Sequence, residues 1–251
     1  MSGHSKWAGI KHKKGILDAK RGKIFTKLIR EITVSSREGG GSPESNPRLR
    51  LAIQKAKDAN MPADTIERGI KKGTGELEGV SYESVSFEGY ALRGVAVIVE
   101  GLTDNRNRTT SEVRSIFTKR GGNMAGAGSV SFQFEKKGVF LVSKKSMEEE
   151  RLMDIALEAG AEDFGPEGDF FEILCAAQVF DKVRTGLVKK GVKIESGELS
   201  MIPKSTVKIE DVETARKICT LIEELEDNDD VQNVYSNFDI SDDILKEIEK
   251  E

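Results

Sequence analysis

GVFLVSKKSMEEERLMDIALEAGAEDFGPEGDFFEILCAAQVFDKVRTGLVKKGVKIES, residues 138–196, alternates short runs of β-branched and aromatic residues with two helical ones. Val139–Ser143, Glu162–Gly165, Phe170–Cys175 and Val192–Ser196 read as strands, and Met147–Ala159 and Gln178–Lys190 as helices. The order β-α-β-β-α-β predicts a ferredoxin-like domain. A second set surrounds it. Val95–Glu100, a continuous apolar run, predicts a buried strand. Thr109-Thr110-Ser111-Glu112 has the capping-box pattern and opens a helix to about Arg120. After the glycines 121, 122, 126 and 128, Ser129–Phe134 reads as a strand. Thr206–Ile209, Val212–Glu226 and Val231–Phe238 then supply strand, helix and strand. The 138–202 unit thus sits inside a parent domain of the same type, with Ser84–Gly89 as an additional strand. Val113–Gly121 resembles Val183–Gly191, 70 residues later, which favours an internal repeat.

The first 79 residues have another character. Ile24, Phe25, Leu28, Ile29 and Ile32 form one stripe on a helix from Leu17 to Arg37. Asn46-Pro47 is an N-cap followed by proline at the first helical position, and Leu49, Ala52, Ile53 and Ala56 line the helix it opens. A short helix from Asp64 to Lys72 stops at Gly73. The expected class is therefore α+β, with three domains. They are a basic arm and helical domain (1–79), a parent α+β domain (80–134 plus 204–251) and an inserted ferredoxin-like domain (135–203).

Charge is distributed unevenly. The net charge is −4, yet the first 37 residues hold ten Lys or Arg and two acids. Residues 1–75 balance to +10 and residues 76–251 to −14. Such asymmetry points to an anionic polymer as partner. Lys6, Lys11, Lys13 and Lys14 lie in an arm too polar to fold alone, and Lys20, Lys23, Lys27, Arg30 and Arg37 continue the charge along the helix opposite its apolar stripe, with Arg21 as a further binding candidate. A solvated helix face usually mixes both signs, whereas this one does not. Trp7 either anchors the arm or stacks on a base, as His12 could. Arg106 and Arg108, at a helix start, are a second contact candidate, either for phosphate or for Asp104 and Glu112 within the chain.

Other chemistry finds little support. Both histidines lie in the arm, and the spacing of Cys175 and Cys219 suits no zinc site. Neither Gly73-Thr74-Gly75-Glu76 nor Gly126-Ala127-Gly128 completes a nucleotide-binding motif. Asp227-Asn228-Asp229-Asp230 departs from a calcium loop at Gln232 and Phe238, and reads as an acidic solvated turn. The expectation is a non-enzyme without cofactor, metal or small-molecule substrate. No apolar run approaches the roughly 18 residues of a membrane span, and a cytoplasmic location is expected.

Gly3-His4-Ser5-Lys6-Trp7, Ile10–Lys14, Asp18–Lys23, Lys27–Ile32, Asn60-Met61-Pro62, Phe87–Tyr90, Thr103–Thr109 and Gly121–Met124 together resemble the YebC/PmpR family along essentially the whole chain. The resemblance implies three domains around a cleft and a cytoplasmic protein, with a mitochondrial branch that activates translation of an oxidase subunit. It implies a DNA-binding transcriptional regulator or, alternatively, a ribosome-associated factor that binds ribosomal RNA and relieves stalling at proline-rich stretches. Duplex DNA, ribosomal RNA and the ribosome are the partners so implied. An acidic adaptor, using the 15 acids between Lys208 and Glu251, is the rival from a different class.

Overall fold

The computed structural model describes residues 17–249, with no account of the side chains of residues 17–21, 242 and 249. Within these residues the chain folds into two compact units that alternate in sequence. One runs up to Ser129 and resumes from Asp211 to Val234; the other comprises Val130–Glu210 and the chain from Tyr235 onward.

The first unit opens with three helices, α1 (Leu17–Gly39), α2 (Pro47–Asp58) and α3 (Ala63–Thr74). Asn46 caps α2 through its side chain, which accepts from Leu49 N, and Pro47 takes the first helical position, as the sequence predicts. Ile32, Leu49, Ala52, Ala56, Met61 and Ile66 form the core of this layer, with Phe25, Leu28, Ile29, Ile53 and Ile70 packed against it. Ile24, expected on the same stripe, is exposed. With 23 residues α1 is about 35 Å long, whereas its 12-residue partners reach about 18 Å and cannot cover it all.

Helix α3 does not stop at Gly73. It continues to Thr74 and ends at Gly75, which adopts φ 84°. Gly69 and Gly73 are there for a different reason. A Cβ on Gly73 would lie 2.3 Å from the Thr33 carbonyl oxygen, and one on Gly69 would lie 3.1 Å from Ile32. The two glycines let α1 and α3 cross in backbone contact, and the Thr33 hydroxyl donates to the Gly69 carbonyl at 3.3 Å.

The rest of this unit is a sheet with two helices. It contains β1 (Glu83–Tyr90), β2 (Ala96–Thr103), α4 (Arg106–Lys119) and β3 (Asn123–Ala125). The other unit contributes β4 (Phe134–Ser143), α5 (Glu149–Ala159), β5 (Asp163–Glu167), β6 (Phe170–Ala176), α6 (Phe180–Lys189), β7 (Ile194–Pro203) and β8 (Val207–Ile209). Then α7 (Val212–Asp227) and β9 (Val231–Ser236) return to the first sheet, before β10 (Phe238–Ile240) and α8 (Asp242–Glu249).

Strand order β5-β6-β4-β7, antiparallel throughout, makes the predicted ferredoxin-like arrangement. Its core includes Phe140 stacked on Phe180 at 4.7 Å, with Leu152, Ile173, Val183 and Leu187 fully buried. The other sheet has the order β3-β1-β2-β9. This is the same arrangement in permuted chain order, because β1, which precedes β2, fills the place between β2 and β3. Three expectations therefore change. Ser129–Phe134 is a turn and a short 3₁₀ segment at Ser131–Gln133, and β4 begins at Phe134. Thr206–Ile209 does not join the parent sheet; as β8 it pairs in parallel with β10. The expected strand Val231–Phe238 breaks at Asn237, whose carbonyl accepts Val207 N at 2.8 Å.

The sequence match between Val113–Gly121 and Val183–Gly191 has a structural counterpart. Each segment is the crossover helix of a split β-α-β, from β2 to β3 and from β6 to β7. Each ends in a left-handed glycine, Gly121 at φ 76° and Gly191 at φ 80°. The following amide then bonds back into the helix, Gly122 N to Phe117 O at 2.8 Å and Val192 N to Leu187 O at 3.0 Å.

The helix crossing gives a paired test. Gly73→Ala should destabilise the chain by about 1–3 kcal/mol through overpacking. Gly22→Ala, where a Cβ meets nothing within 4 Å, should stabilise it by about 0.4–1 kcal/mol. Urea unfolding of the two variants checks the opposite signs.

Candidate nucleic-acid interface

A helix leaves its last carbonyls without partners and carries partial negative charge at that end. In the first unit, the C-terminal turn of α7 is met by the basic face of α1. Lys23 Nζ donates to the Asp227 carbonyl at 3.1 Å and Lys27 Nζ to the Glu226 carbonyl at 2.5 Å. One turn further on, Arg30 Nη1 donates to the Asp229 carbonyl at 2.7 Å and the Leu102 carbonyl at 3.3 Å. Its guanidinium also lies 5.2 Å from the centre of the Tyr82 ring. Spacing of i, i+4 and i+7 places the three cations on one face of α1, so a single helix face supplies all four bonds. Arg37, later on the helix, donates to Ser81 Oγ at 2.6 Å and to the Tyr82 carbonyl.

The turn after α7 holds the residue around which this contact is built. Asp230 is 3% exposed. Arg30 Nη1 reaches its Oδ1 at 2.6 Å, and Arg108 Nη2 reaches its Oδ2 at 2.6 Å. The Thr109 and Thr103 hydroxyls stand 2.6 and 3.2 Å from Oδ2. Its backbone is tied as well: the carbonyl accepts Leu102 N at 2.8 Å, and the amide donates to Asn228 Oδ1 at 2.9 Å. Burial alone would raise the pKa of this carboxyl. The Thr109 hydroxyl and the Arg108 and Arg30 guanidiniums outweigh it and hold the group below its ordinary 3.8. Reciprocally, Asp230 and then Asp104 raise the pKa of Arg108.

This geometry revises several sequence expectations. The acidic run 227–230 is not simply a solvated turn, because its last member is buried between two arginines. Arg30, expected to meet phosphate, has its side chain 14% exposed and bound to Asp230. Arg108 binds Asp104 at 2.9 Å as well as Asp230, and lies 3.9 Å from Glu112. Of the two uses considered for Arg108, the internal one is present in the structure. Helix α4 begins at Arg106 rather than Thr109; Asn105 is its N-cap, accepting from Arg108 N at 3.1 Å, and this frees the Thr109 hydroxyl for Asp230. Arg106 is exposed, with Glu83 3.7 Å away. Lys23 is exposed and Lys27 half-buried. Lys6, Trp7, Lys11, His12, Lys13 and Lys14 lie outside the described residues, as do the side chains of Lys20 and Arg21.

Sequence reasoning missed Asp230. The available signal was the pair of threonines at positions 103 and 109 beside two basic residues, which need an internal acceptor once buried; the chain offered no reason to select an acid 121 residues away.

The clamp sets a stability test. Asp230→Asn leaves the Arg30 guanidinium without its counter-charge, while Arg108 keeps Asp104, and should cost about 3 kcal/mol in urea unfolding. Because the folded carboxyl stays ionised to lower pH than the unfolded one, its contribution is present in full above the ordinary value of 3.8 and is lost as pH falls through the lower folded value. The stability gap between wild type and Asp230→Asn should therefore close on acidification. A constant gap would place the effect elsewhere.

Comparison with known proteins bears on the whole chain. Residues 5–76 match the family model described as the TACO1/YebC protein N-terminal domain, and residues 82–238 match that of the TACO1/YebC second and third domain. A protein of Persephonella marina is 59% identical over 249 residues, covering 99% of this chain and 100% of its own. One from Geobacter sulfurreducens is 58% identical over 250 residues, covering 100% and 99%. Both bear the name probable transcriptional regulatory protein. The crystal structure of a conserved hypothetical protein from Aquifex aeolicus superimposes with a TM-score of 0.86 at 54% identity, over 94% of this chain and 97% of the other. No described helix is long and apolar enough to cross a membrane.

Proposed function

The chain belongs to the TACO1/YebC family, and from that footing we propose that it is a non-enzymatic regulator of gene expression acting through nucleic acid. The observation that carries this reading is the ten-to-two excess of basic over acidic residues in the first 37 positions of a chain whose overall charge is negative. The regulatory names of the two bacterial relatives support it. Lys6, Lys11, Lys13 and Lys14, followed by Lys20 and Arg21, make the outer contacts with phosphate. Lys23 and Lys27 follow on α1, and Arg106 adds an exposed cation at the start of α4. Trp7 and His12 supply flat rings for stacking on unpaired bases. Arg30 and Arg108 hold the basic helix in place through Asp230 and are not phosphate contacts.

Duplex DNA is the target that best fits the relatives' names. Ribosomal RNA is the alternative, favoured by an arm that carries an aromatic ring among its cations, a combination suited to irregular single-stranded segments.

Reversal of Lys11, Lys13 and Lys14 to Glu in the full chain tests the proposal. Affinity for a short DNA duplex or RNA hairpin should fall at least about tenfold, and the slope of log K against log salt should shrink by about 2–3. Unchanged affinity for both would remove the assignment. Cross-linking in growing cells then separates the polymers. Adducts at a few promoters mark a transcriptional regulator, and adducts on ribosomal RNA mark a translation factor. Neither would leave the acidic segment from Lys208 as the functional surface.

A further inference from the structure

Two of the lysines assigned to phosphate are already engaged within the chain. Lys23 and Lys27 donate to the Asp227 and Glu226 carbonyls, at the end of α7 where the helix dipole is negative. Asp227 and Asp229 add two exposed carboxylates to the same turn. We propose that this acidic turn is a cis occupant of the phosphate-binding face of α1, displaced from Lys23 and Lys27 when nucleic acid binds. The inference rests on the nucleic-acid reading above and concerns how that site is regulated.

The geometry divides the contact into a fixed and a releasable part. The Arg30 side chain is 14% exposed, and its guanidinium is shared between the Asp230 carboxylate and two carbonyls. Withdrawing it would leave Oδ1 of the buried Asp230 without the guanidinium it now meets at 2.6 Å, so it stays. Lys23 is exposed and Lys27 half-buried, and each meets a carbonyl at a helix end that water can also solvate. Exposed contacts of this kind are individually weak. A phosphate carries a full negative charge, and its binding releases counterions, so it competes well against a carbonyl for an ammonium group. Flexible lysine stems allow the exchange without movement of either helix. The turn thereby lowers affinity for every anion alike. It also keeps the basic face of α1 occupied when no polymer is present.

A double-mutant cycle on the full chain tests this. The acidic pair is changed by Asp227→Asn with Asp229→Asn, and the basic pair by Lys23→Ala with Lys27→Ala. Asp230 and Arg30 are left intact, and thermal melting verifies folding. A short fluorescein-labelled DNA duplex and an RNA hairpin serve as probes at low salt. Neutralising the turn should raise affinity about three- to tenfold. Loss of the two lysines should then cost about threefold more in the neutralised background than in wild type, because there the turn no longer opposes them with its two carboxylates and a phosphate competes with the helix-end carbonyls alone. Additive effects would overturn the proposal. So would an equal gain from Glu149→Gln with Asp154→Asn on α5, which changes net charge by the same amount. Binding that arm reversal weakens while the cycle stays additive would sink the lock alone. Failure of every form, wild type included, to bind either probe would remove the nucleic-acid reading and the lock with it.

Discussion

The contact of Asp230 with Arg30 and Arg108 is the constraint on which the first unit depends. One carboxylate joins α1, the end of β2, the first turn of α4 and the loop after α7. Even the neighbouring backbone is shaped to it, since a Cβ on Gly101 would lie 2.6 Å from the Asp230 carbonyl oxygen. Buried ion pairs are poor sources of net stability, because desolvation offsets most of their attraction. What they provide is direction. An apolar patch would let α1 slide or rotate over the sheet, whereas two guanidinium–carboxylate bonds of 2.6 Å fix its register. The lysines beside them are aligned as a consequence.

The same helix face therefore does two things that the sequence presents as one. A row of cations without interspersed acids suggests an external anion, and charge statistics alone cannot reveal that an internal anion is a helix end. The partial charge at the end of α7 belongs to the backbone, so it is invisible in the residue types. Arg30 is drawn into the fold, and Lys23 and Lys27 lie on the boundary between structural and binding roles.

Legibility followed the range of the interactions. The two helices of the ferredoxin-like unit were readable because helical periodicity acts within a few residues. The proline-opened α2 was readable for the same reason. Strand placement in the parent sheet was not, because β1 precedes β2 in sequence yet occupies the place expected of a later strand. The stretch at Ser129–Phe134 has apolar alternation, but only Phe134 joins a strand, and Gln133 N closes a tight turn onto Val130 O. Gly73 looked like a helix stop because glycine usually is one. Here its missing side chain admits another helix, a reason that lies 40 residues away in Thr33. The basic residues of the arm were legible as charge, whereas the clamp that anchors the following helix required the fold.

The alternation of the two units along the chain has a consequence for biosynthesis. Arg30 leaves the ribosome 200 residues before Asp230. At about 5–20 residues per second, the basic helix waits roughly 10–40 s for the acid that fixes it. The whole of the second ferredoxin-like sheet is synthesised in that interval. During vectorial emergence α1 can pack against α2 and α3 but has no α7 to dock on. Completion of the first unit is thus a late event, gated by the translation of a domain that contributes nothing to the clamp.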